Sequence, residues 1–496
     1  MSDIKKLAGQ TAIYGVPTII GRFLNYFLVP LYTYSMATQN YGIVSELYAY
    51  ISFLMIILTY GMETAFFRFN QTSEKKDVVY NTSLLSLMIS TSLFLIITFI
   101  FLNPISNALE YSDHKNYIVL FLIILALDAI RAIPYAYLRS KQKAARFAFI
   151  KTMDICSNIL FNLFFFLLCP LLYKNDSILV TSWFNPNDLV IYIFISNVLA
   201  SFIASLLLLP EFFKFRPNFD FKLLKKMLTY ALPVMIGGLA GMVNETFDRI
   251  ALKHLVTIPD NLHTVKEISD YKMSQIGIYG ACYKLSIVIS LFIQAFKFAA
   301  EPFFFSKMKQ EDAKQSYSNI MTVFVIFLCV IFLIVLGYLD ILKYFIGKDY
   351  RIGLKVVPIL LGANLFLGIY YNLSIWYKVT DKTKYGAYIA TIGAIITLIL
   401  NYILVPIMGY MGAAWTTFIC YFTIAILCYL IGQRHYPVNY NIKHITIYLL
   451  SALVLYLIMN YLPIENTIIR LILNTIIIIF FILGAYKLDI KKIIRK

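Results

Sequence analysis

Among the charged side chains that sit inside otherwise apolar stretches, ten are the residues with chemistry to offer. Arg22 lies midway along the first stretch, in Gly21-Arg22-Phe23-Leu24-Asn25, with no opposite charge within one helical turn. Glu63 is near one end of the second stretch. Asp128 and Arg131, three apart in the fourth, share a helical face and can pair. The seventh carries Glu245, Asp248 and Arg249 in Asn244-Glu245-Thr246-Phe247-Asp248-Arg249. The eighth carries Lys284 toward one end, then Lys297 and Glu301 four apart toward the other.

At bilayer depth a charge costs at least ~2.5–3.5 kcal/mol on insertion scales, so it faces a partner or an aqueous cavity. Glu245, Asp248, Arg249 and Lys284 together are too charged for lipid and predict a cavity lining. Arg22, Arg249, Lys284 and Lys297 would give that cavity positive character, and a guanidinium at low dielectric suits bidentate recognition of phosphate. The remaining groups have two readings. Glu63, Lys297 and Glu301 can line the cavity or snorkel to the interface, and Asp128 with Arg131 can be functional or a structural pair.

The elements that must hold these charges follow from composition. The chain has 496 residues, of which 60% are apolar and only 14% charged, against ~25% charged in soluble domains. This excludes a soluble enzyme, a disordered chain and a disulfide scaffold. Apolar stretches recur at 11–37, 44–67, 79–102, 117–138, 147–172, 188–210, 228–256, 276–305, 317–339, 354–377, 386–408, 411–432, 444–462 and 467–487. Each is long enough to cross ~30 Å of hydrocarbon as a helix. The fold predicted is an all-α integral membrane protein of about fourteen transmembrane helices. The close pair around Gly409-Tyr410-Met411-Gly412 is the least certain division.

The net charge of +17 would suggest nucleic acid in a soluble protein, but here it reads as topology. With the N-terminus placed inside, 28 of the 43 basic residues fall in cytoplasmic segments and ten, Lys253 among them, on the other side. That split predicts both termini in the cytoplasm, with the loop at 340–355 as the one violation. Arg22 also interrupts the first apolar run, which argues against a cleavable signal peptide. The longest polar segments, 211–226, 257–275 and 340–353, are too short for a domain of their own. Function is therefore expected within the membrane.

An offset of 238 or 239 residues superposes two halves of the chain. Tyr41-Gly42 falls on Tyr279-Gly280, Glu63 on Glu301, Leu138–Ala148 on Tyr377–Ala387, and Asn162 on Asn401. Six helices separate the copies, so the halves share one topology and a path between them. The expected division is an N-terminal six-helix lobe at 1–212, a second at 213–436, and an additional two-helix segment with a basic tail at 437–496.

Other features are quieter. The six cysteines lie in or beside apolar runs without a CxxC pair, and the histidines have no ligand spacing, so no metal or cofactor is expected. Without a Walker loop, ATP hydrolysis by this chain is not expected. Tyr370, Tyr371, Trp376 and Tyr377 cluster on the tenth stretch, as a sugar-stacking surface or as an interfacial belt. Pro233, Gly237-Gly238 and Gly241 should loosen the seventh helix.

The opening region with Gly21-Arg22, the Tyr41-Gly42 turn and Gly61-Met62-Glu63 resembles the start of bacterial O-antigen (lipopolysaccharide) and capsule flippases. Leu232-Pro233 through Asp248-Arg249 is similar to the start of their second lobe. The resemblance, to the polysaccharide flippase family of the multidrug/oligosaccharidyl-lipid/polysaccharide exporter superfamily, covers nearly the whole chain through diffuse motifs. It implies a multi-pass protein of the bacterial cytoplasmic membrane, a transporter and not an enzyme, moving undecaprenyl-diphosphate-linked oligosaccharide by alternating access. On that resemblance Arg22, Arg249, Lys284 and Lys297 bind the diphosphate or an anionic sugar. Glu63, Asp128, Glu245 and Asp248 are the candidates for proton or sodium coupling. Residues 444–487 would form a groove for the lipid tail, as in the related lipid II flippases of peptidoglycan synthesis. Membrane lipids and polysaccharide polymerase and assembly proteins are the implied partners, with no nucleic acid. The rivals are lipid II as cargo, a multidrug cation antiporter, and a membrane glycan polymerase or ligase. An antiporter usually has twelve helices and an acidic cavity, and a polymerase a large outer loop.

Overall fold

A computed structural model describes residues 21, 23–216, 218–308, 310–461 and 464–495, without the side chains of 298, 299, 301, 302, 306, 494 and 495. Every regular element among them is helical. The principal helices are α1 (Leu28–Ser35), α2 (Thr38–Thr59), α3 (Met62–Thr72), α4 (Lys76–Ile100), α5 (Lys115–Ser140), α6 (Ala144–Leu163), α7 (Leu189–Leu207) and α8 (Phe221–Leu255). They continue with α9 (Val265–Lys307), α10 (Ala313–Gly337), α11 (Val357–Leu373), α12 (Lys384–Met408), α13 (Tyr410–His435), α14 (Ile442–Tyr461) and α15 (Thr467–Ala485).

Thirteen segments among the described residues are long and apolar enough to span a membrane, beginning with Thr38–Thr72. Of the fourteenth expected span, 11–37, residues 11–20 and Arg22 lie outside the described residues. Large apolar side chains such as Ile89, Leu93, Ile96 and Ile100 on α4 stand exposed along one face. In water that face would be a liability, but against acyl chains it is the ordinary surface of a spanning helix.

Two divisions between helices depend on glycine. Gly61 breaks α2 from α3 at φ +72°, and a Cβ there would lie 2.6 Å from the Ala231 carbonyl oxygen. Gly409, at φ +55°, alone separates α12 from α13. The close pair is therefore two distinct helices. The expected turn at Tyr41-Gly42 does not form: both residues lie in the first turn of α2, because the bend comes earlier, at Met36 and Ala37. Lys253, assigned to an outer loop by its place near the end of an apolar run, is instead in the last turn of α8 and fully buried.

The chain divides into two compact units, one of residues 1–36 and 43–242 and one of residues 37–42 and 243–496. The division falls inside α8, a continuous helix of 35 residues that contains Pro233 and the glycines expected to loosen it. In the first unit Met62, Phe66, Tyr80, Leu84 and Ile133 pack with Met227 and Ala231 of α8. In the second, α14 and α15 dock on α10. Asn474 donates its amide to the Gly337 carbonyl at 2.7 Å, the hydroxyls of Tyr338 and Thr475 meet at 2.7 Å, and Arg470 pairs with Asp340. The terminal pair is thus fixed to its unit by polar contacts as well as by apolar packing.

Candidate functional site

In the first unit the polar chemistry centres on Arg131, which α5 buries to 4% exposure. The expected pair with Asp128 forms one turn earlier on the same helix. Two further helices complete the group: the guanidinium lies 3.6 Å from the Asp154 carboxylate of α6 and donates to Ser201 Oγ of α7 at 3.0 Å. Ser201 in turn donates to Asp128 at 3.0 Å. Lys151, one turn before Asp154, lies 3.8 Å from the same carboxylate. Two acids and two bases thus meet across α5 and α6, with Ser201 of α7 joining them, each with an opposite charge in reach, as burial requires.

Glu63 begins α3 and pairs with Arg139 at the end of α5, both about a third or more exposed. Arg146 reaches the almost fully buried Glu211 at 2.9 Å. Asp154, Lys151 and Glu211 were not among the expected site residues. Asp154 could have been found, since it stands alone as an acid within the run 147–172.

In the second unit the expected cluster forms on α8 and α9. Arg249 donates to Asp248 Oδ1 at 2.8 Å and to the Glu245 carbonyl at 2.9 Å. Its guanidinium carbon stands 4.5 Å from the centre of the Tyr283 ring and 5.7 Å from that of Tyr279. Tyr279 donates to Asp248 Oδ2 at 2.5 Å. Asp248 is buried, Lys284 half-buried and Glu245 exposed. Stacking on two rings and a carboxylate at one edge fix the guanidinium plane, the orientation that bidentate phosphate recognition uses. Glu245 and Asp248 balance Arg249 and Lys284 in formal charge, so this cluster alone is polar more than cationic.

Beside it Asn244 forms a neutral hub linking three helices. Its amide donates to the Ala390 carbonyl at 3.1 Å, and its side-chain oxygen accepts from Thr397 at 3.2 Å and from the Cys420 thiol at 3.6 Å. It carries no charge, so a search for buried charges along the sequence does not single it out. Lys297 lies apart from the Arg249 cluster, toward the end of α9, with its ammonium 4.6 Å from the Tyr371 ring centre. The Glu301 side chain lies outside the described residues. No group of three or more His, Cys, Asp or Glu residues suited to a metal occurs among the described residues.

The sequence of residues 7–309 matches the family described as polysaccharide biosynthesis protein. No curated protein sequence matches the chain significantly. Among solved structures, the lipid II flippase MurJ in an inward closed conformation superposes with a TM-score of 0.71 at 17% identity, covering 96% of this chain and 98% of that one. An inward-facing multidrug resistance transporter of the MATE family, of the MOP superfamily, gives 0.55 at 14% identity, covering 88% and 94%. The Vibrio cholerae MATE transporter VcmN in its bent form gives 0.56 at 10% identity, covering 90% and 100%. At such identities the likeness is one of fold. The sequence match extends over more than half of the chain, and this multi-pass membrane protein belongs to the polysaccharide biosynthesis protein family.

Proposed function

We propose that the protein is a flippase that carries undecaprenyl-diphosphate-linked oligosaccharide across the bacterial cytoplasmic membrane by alternating access, with both termini in the cytoplasm. The observation that carries this reading is family membership joined to the reach of the structural likeness. The superposition on a lipid-carrying flippase takes in 96% of the chain, against 88–90% for the two multidrug transporters, and at a higher TM-score. The oriented Arg249 guanidinium supports an anionic cargo, and Arg22, Lys284 and Lys297 add cations toward it. A diphosphate needs fixed donors, and donors held by the fold cost no reorganisation when the cargo arrives. Asp128, Asp248, Glu63 and Glu245 are the carboxylates through which a proton or sodium gradient would act.

The test is flipping of a fluorescent undecaprenyl-diphosphate-linked sugar in proteoliposomes. Arg249→Ala should slow flipping at least about 10-fold while protein amount and insertion hold. Flipping at the wild-type rate by both Arg22→Ala and Arg249→Ala would overturn the reading. The similarity to MurJ favours lipid II as a second cargo, and rescue of cells depleted of their own lipid II flippase separates the two.

A further inference from the structure

Between the spans α7 and α8 runs a segment, residues 209–226, in which phenylalanines and basic residues interleave. Its backbone is tied to the first unit. The buried Glu211 pairs with Arg146 and accepts the Tyr80 hydroxyl at its carbonyl, at 2.9 Å in each case. The amide of Arg216 donates to Asn81 Oδ1 at 3.1 Å and that of Asp220 to the Thr82 hydroxyl at 3.2 Å, both on α4. Phe212, Phe215, Leu223 and Leu224 pack against the core around Phe66 and Tyr80.

What this arrangement leaves outside is apolar and cationic together. Phe213 and Phe221 are 80% and 72% exposed, and Lys214, Arg216, Lys222, Lys225 and Lys226 are exposed with them. The segment's two acids are already engaged, Glu211 by Arg146 and Asp220 by the Leu223 amide at 3.0 Å. Lys214 also meets Lys141, from the end of α5, at one ring: their ammonium groups stand 5.1 and 5.6 Å from the centre of Tyr137. Like charges gathered at one ring repel, and an anion beside them would relieve the repulsion. Topology asks only for basic residues on one side of the membrane. It does not ask for rings left exposed on a backbone tied down beside them, or for lysines brought together from distant positions.

We propose that residues 209–226, with Lys141, form a binding surface for an anionic phospholipid. Phe213 and Phe221 enter the boundary of the acyl chains, where aromatic rings are favoured. The cations beside them take the phosphate, and a basic cluster next to a spanning helix gains with each charge that meets an anionic head group. An acidic protein would satisfy the cations, but the exposed rings sit between the ends of two spans, where the hydrocarbon is already adjacent. Because the segment joins one lobe to the next, lipid held there fixes the level at which the first unit's end of that connection lies in the membrane.

The test is site-specific cross-linking of the full-length protein in vesicles containing equal amounts of phosphatidylglycerol and phosphatidylcholine. Phe213 is replaced by the photo-reactive residue p-benzoylphenylalanine, and peptide mass spectrometry reads which lipid it captures. Phosphatidylglycerol adducts should exceed phosphatidylcholine adducts at least about 3-fold. Combining Lys141→Gln, Lys214→Gln, Lys222→Gln and Lys225→Gln, all at exposed positions, should bring the ratio to about one. Arginine at the same four positions should preserve the excess, which ties the effect to charge. Soluble glycerol phosphate in the buffer should leave the ratio unchanged, and its loss there would reassign the cations to a free anion and overturn the proposal. Equal capture of the two lipids, an excess that survives the glutamine changes, or cross-links to protein in place of lipid would each overturn it. No cargo enters the measurement, so the flippase reading stands or falls separately.

Discussion

The two compact units use the same helical register for different polar chemistry. At the 239-residue offset, Arg131 of the first unit corresponds to Tyr370 of the second, and Asp154 to Gly393. The first unit therefore holds an ion-paired centre. In the second, the loss of the side chain at 393 leaves room for Asn244, whose amide nitrogen would stand 2.8 Å from a Cβ placed there. One position has kept its residue. Asn162 and Asn401 are both fully buried, and each donates its amide to the carbonyl one turn earlier, at 2.8 and 2.9 Å. The difference between the units teaches that positions matched by the sequence offset can share a local backbone contact while the chemistry between their helices differs.

The comparison can be broken first at its charged end. Arg131→Ala leaves Asp128 and Asp154 without their shared cation and should destabilise the protein by about 3–5 kcal/mol. Tyr370→Phe, at the corresponding position, should cost about 1 kcal/mol or less. Thermal unfolding in detergent reads both, and equal losses would show that the centre at Arg131 has no special standing. Next in size is the helix division at Gly409. Alanine there meets φ +55° and should cost about 1–2 kcal/mol by the same measurement.

The conserved pair sharpens the contrast more finely. Asn162 Oδ1 accepts from Tyr32 at 2.8 Å, whereas Asn401 Oδ1 has no partner among the described residues. Asn162→Leu should therefore cost about 1–2 kcal/mol, and Asn401→Leu should be neutral or stabilising. The smallest effect is expected where α15 meets α10. Arg470→Gln breaks a partly exposed pair with Asp340 and should cost no more than about 1 kcal/mol. Loss of the α14–α15 contacts on that change, seen as new proteolysis between residues 436 and 442, would show that this one pair anchors the terminal segment.

Much of the fold was legible in the chain. The thirteen spans among the described residues correspond to apolar stretches that hydropathy alone marks out, and Asp128–Arg131 and Asp248–Arg249 are near enough in sequence for a helix to bring them together. Less of the site was legible. Lys253 looked like a loop residue because a cation near the end of an apolar run usually is one. Asp154 and Asn244 matter through residues tens to well over a hundred positions away, to which hydropathy within a window is blind. Arg249 and Lys284 were expected to lend net positive charge, yet their local cluster is balanced by Glu245 and Asp248.

The sequence by itself determined that this chain lives in a membrane, which apolar stretches can cross it, and which charges they carry. Each of these is a sum over neighbouring residues, and burial in lipid is decided by such sums. Only the tertiary structure decided which charge meets which and which amide is left with unused bonds. Those outcomes depend on the packing of distant helices, where a single missing side chain, as at Gly393, changes what can stand opposite.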